Sequence, residues 1–140
     1  MIVTFFTALR DEASGVGRVD DLPDGPLGEP LSLDSAAPLR ALASLLAGEG
    51  QGAGAGPLRD ATCQSFPVWE FASPVTRALA GCSDAALEAV AERWLEPLRS
   101  GGGDVDLYEV ESLLRDLHEA ARDLDGEGAQ LFALLEERAF

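Results

Sequence analysis

One histidine, two cysteines and a run of carboxylates are the groups in this sequence that could act on a ligand. His118 sits at the margin of an apolar helical stripe, with Glu111 about two turns away on the same flank. For a nucleophilic or metal role it needs companions. A Cys63–His118 dyad, or a site of His118, Glu111 and Asp125, requires a tertiary approach that no local spacing enforces. Cys63 and Cys82 form no CxxC pair, so neither a zinc site nor a disulfide framework is indicated, and free thiols are expected. Ser14 lies in Ala-Ser-Gly, not in a G-x-S-x-G elbow. No catalytic residue, metal ligand or cofactor is therefore assigned.

Other partial motifs fail on their own chemistry. Aligning Gly126 with the turn glycine of a calcium loop puts Ala121 at the first ligand position and Phe132 at the last, so two principal oxygen ligands are missing. Asp104 and Asp106 follow a glycine run and suit helix capping better than a cation. Gly48 to Gly56 has the glycine content of a phosphate loop but no terminal Lys-Ser or Lys-Thr. It reads as a flexible linker. Trp69 with Cys63 and His118 could line a small-molecule pocket, although aromatic residues in patterned segments are usually core.

The sharpest surface pattern is acidic. Glu109, Asp116 and Asp123 recur every seven residues on the side of a helix opposite its apolar stripe. Glu111 with Arg115 and Glu119 with Arg122 have helical pair spacing, which leaves the three-carboxylate row without a partner in its own helix. The whole chain shares this sign. Twenty-five acidic residues oppose ten basic ones, all arginine, for a net charge of −15 over 140 residues. That balance disfavours nucleic acid and anionic membrane and favours a basic protein partner.

These residues are carried by two amphipathic segments. Leu87, Val90, Ala91, Trp94, Leu95 and Leu98 recur at the three-and-four spacing of one helix face, and Leu107, Val110, Leu114, Leu117, Ala121 and Leu124 repeat it. Ser83 and Asp106 are the expected N-caps, with Glu109 completing a capping box. Gly101, Gly102 and Gly103 allow the reversal of an antiparallel hairpin, and Trp94 is expected to be buried between its helices. Ile2 to Thr7 is β-branched and aromatic, as a strand requires. Arg10 to Leu33 reads mostly as loop, with one helical turn at Asp11 to Gly15. Asp34 or Ser35 caps a helix presenting Leu39, Leu42, Leu45 and Leu46. Thr62 to Phe71 is a strand in which Pro67 stands at an edge or first, and Ser73 caps a short helix with Pro74 at its first position.

The run Phe66-Pro-Val-Trp-Glu-Phe, then Val75-Thr-Arg-Ala-Leu-Ala and Ser83 to Trp94, resembles a group of small uncharacterised bacterial proteins from GC-rich genomes. The likeness covers the chain from Phe66 onward. It implies a strand, a short helix, a leucine-rich helix ending in Arg-Trp, a further helix and a closing apolar strand. By periodicity alone Gln130 to Phe140 suits helix or strand; the resemblance favours a strand at Leu131 to Leu135. It implies no activity, and the glycine-rich segment before Pro57 departs from it.

The expectation is a single α+β domain over residues 1–140, helix-dominated, with a central antiparallel helical hairpin on a small β-sheet and a flexible Gly-rich loop at 48–56. Met1 to Leu9 lacks a basic leader and cleavage site, and no window nears the roughly 20 apolar residues of a membrane span, so a cytoplasmic location is expected. In function the reading is a non-catalytic protein-interaction module, immunity- or inhibitor-like, with Glu109, Asp116 and Asp123 as the partner-binding residues. The alternative is a small enzyme or ligand-binding protein using a pocket near Cys63, Trp69 and His118.

Overall fold

A computed structural model describes residues 2–16, 22, 27–47, 55–59, 67–124 and 129–136. The chain runs β1 (Ile2–Leu9), α1 (Arg10–Ser14), β2 (Leu27–Ser32), α2 (Ala37–Ala47), β3 (Ala55–Arg59), β4 (Val68–Phe71), α3 (Ser73–Ala80), α4 (Asp84–Ser100), α5 (Leu107–Arg122) and β5 (Ala129–Glu136). The strands form one sheet in the order β2-β1-β5-β4-β3. Every pairing is antiparallel. The α+β reading holds, and among the described residues no helix is long and apolar enough to cross a membrane.

The two strands most distant in sequence lie side by side, since β1 pairs with β5 from Ile2↔Glu136 to Leu9↔Ala129. Alternation then sorts side chains between the faces. Val3, Phe5, Phe71, Leu131, Ala133 and Leu135 point toward the helices. Phe6, Ala8, Val68, Phe132 and Leu134 point away, into a smaller cluster completed by Ala13, Val16 and Leu22. There the Phe6 and Phe132 rings stack with centroids 5.5 Å apart. On the larger face α4 packs on α2 and α5, and α3 also packs on α2 and α5, closing a ring of four helices.

The hairpin follows its sequence signals. Ser83 Oγ accepts from the Ala86 amide at 3.2 Å and opens α4, while Asp106 Oδ1 accepts from the Glu109 amide at 2.8 Å and opens α5. Leu87, Ala91, Trp94 and Leu98 are buried on α4, and Val110, Leu113, Leu114, Leu117 and Ala121 on α5. Trp94 is fully buried, but its recorded partners lie outside the hairpin: its indole donates to the Pro38 carbonyl of α2 at 2.8 Å and its ring meets Phe5 of β1 edge-on. The reason is rotational. Trp94 lies on the flank of α4 that faces α2 and the sheet.

Several expectations need correction. The stretch from Arg10 to Leu33, read mostly as loop with one helical turn, has that turn as α1 but also contains the unexpected strand β2. Of the expected flexible loop at 48–56, residues 48–54 lie outside the described residues, and Ala55 and Gly56 open β3. β4 is interior, with Pro67 just before it; that proline's carbonyl accepts from the Leu135 amide. Ser73 does not cap α3, because the cap residue is Ala72 and no side chain closes that end. The C-terminal segment, by contrast, is the strand expected at Leu131 to Leu135, paired on one side with β1 and on the other with β4.

Candidate functional site

Two of the three carboxylates in the heptad row share a groove. It lies between α5 and β2, is open, and encloses about 540 Å³. The α5 wall presents Tyr108, Glu109, Ser112, Leu113 and Asp116; the β2 wall presents Gly28, Pro30, Leu31 and Ser32, and Asp104 and Val105 close one end. The helix supplies this wall because Val110, Leu114 and Leu117 turn the opposite face into the core, which rotates Glu109, Ser112 and Asp116 outward.

Gly28 sets the approach of the two walls. Its φ is +65°, and a Cβ there would stand 2.8 Å from Leu113 Cδ1 and 3.2 Å from Asp116 Oδ2. Only glycine permits both that backbone conformation and that proximity. At the closed end, Arg99 Nε donates to the Val105 carbonyl at 3.2 Å, which ties the end of α4 to the segment entering α5.

Charge in the groove is one-sided. Asp104, Glu109 and Asp116 line it, and no arginine or histidine does so among the described residues. The positive pole of α5 offsets part of the cost at Asp104 and Glu109. Asp116 stands more than two turns from that pole and receives no such compensation, so it is the carboxylate that capping does not explain. Tyr108 projects beside them with 78% of its surface exposed. Asp123, the third member of the row, is the C-cap of α5 and lies outside the groove lining.

The alternative pocket residues are occupied differently. Cys63 lies outside the described residues. Trp69 is half-buried on β4, with the Arg40 guanidinium 5.2 Å from its ring centroid. His118 Nδ1 is 2.8 Å from the Leu79 carbonyl and so joins α5 to the end of α3. Each contact is structural in kind: a cation over a ring, and a ring nitrogen on a helix-end carbonyl. The Cys82 thiol donates to the Ala78 carbonyl at 3.2 Å, and burial pushes its pKa up, away from thiolate reactivity. Among the described residues no group of three or more His, Cys, Asp or Glu side chains could hold a metal ion.

Sequence reasoning found Glu109 and Asp116 through their period but missed Gly28, Pro30, Ser32 and Leu113. The Gly-x-Pro spacing of β2 was visible, yet it signals a turn as readily as a strand. Leu113 lies beside the α5 stripe, and its approach to Gly28 depends on the nearness of β2. No protein family, curated protein or solved structure matches this chain.

Proposed function

We propose that this protein is a non-catalytic interaction module, immunity- or inhibitor-like, that binds a basic protein partner through the groove between α5 and β2. The observation that carries this reading is the one-signed lining, in which Asp116 serves no capping role and faces an open cleft beside an exposed tyrosine. Clefts lined by one sign of charge focus the field and steer a partner of opposite charge. The net charge of −15 adds a long-range attraction of the same sign. A cytoplasmic site of action and a GC-rich bacterial source accompany this reading, on the composition and the resemblance noted above.

The test is kinetic. A partner recovered by pull-down should associate more slowly with the Glu109→Arg/Asp116→Arg protein, by about tenfold at low salt, and the salt dependence of its on-rate should flatten. An on-rate unchanged at low salt in the folded double variant would remove the groove from the binding site.

A further inference from the structure

We draw no further inference here: the strongest candidate, the row of exposed carboxylates Asp84, Glu88, Glu92 and Glu96 at four-residue intervals along the solvent side of α4, is a surface patch of like charge beside which nothing among the described residues points to a ligand.

Discussion

Trp94 is the residue on which the helical layer closes, because its ring fills the space between α4, α2 and β1 while its indole nitrogen satisfies a buried carbonyl. Trp94→Ala is expected to cost about 3–5 kcal/mol, as large core truncations do. Trp94→Phe keeps most of the apolar volume and loses the donor, so a smaller loss of about 1–2 kcal/mol should follow. Denaturant titration of both variants separates the two contributions. A loss under about 1 kcal/mol for the alanine variant would match a surface position instead. The surface at Asp116 obeys the opposite logic, since among the described residues no cap or hydrogen bond uses its carboxylate and its removal tests binding, not stability.

At the scale of elements, the α4–α5 turn is more than a flexible joint. Gly102 has φ +90° and a Cβ there would run into the Asp34 carboxylate, Gly101 lies against Pro38, and the Asp34 amide donates to the Gly101 carbonyl at 2.6 Å. The turn is thus fastened to the segment leading from β2 into α2; Gly102 is required by its dihedral angle, and Gly101 and Gly103 by contact with Pro38 and the Leu98 carbonyl. Gly102→Ala should destabilise the protein by about 1–3 kcal/mol. Gly81→Ala is the control: its φ is −86°, and a Cβ would meet nothing nearer than the Arg77 carbonyl at 3.5 Å. That change should be neutral or stabilising by up to about 1 kcal/mol. Equal losses at both sites by thermal melting would show that the turn is not held as described.

For the molecule as a whole, central pairing of β1 with β5 makes the fold depend on contacts between the beginning and end of the described chain, a topology whose loop-closure cost slows folding. Both outermost described strands carry a proline, Pro30 in β2 and Pro57 in β3, which discourages edge-to-edge association of the sheet. Net charge acts at this scale too. A surplus of fifteen negative charges repels itself in the compact state. Raising salt from 10 to 150 mM shortens the screening length from about 30 to about 8 Å and should raise the melting temperature by a few degrees. A fall on scanning calorimetry would mean that attractive pairs dominate the surface.

What the sequence by itself determined is the set of elements whose signal is local. Apolar spacing marked α2, α4 and α5, Ser83 and Asp106 marked helix starts, and the β-branched run at Ile2 marked β1, because periodicity and capping act within a few residues. Tertiary structure alone decided β2 and β3. Leu-Gly-Glu-Pro-Leu-Ser and Ala-Gly-Pro-Leu-Arg have no alternation strong enough to announce a strand, and they become strands because β1 and β4 offer ladders beside them. Half of the candidate site divides the same way. The heptad spacing of Glu109, Asp116 and Asp123 was legible, but that two of them face a groove and the third caps a helix depends on where β2 lies. Its position is set by pairing with β1 and by the contact that Gly28 allows with α5, a distance that no sequence spacing encodes.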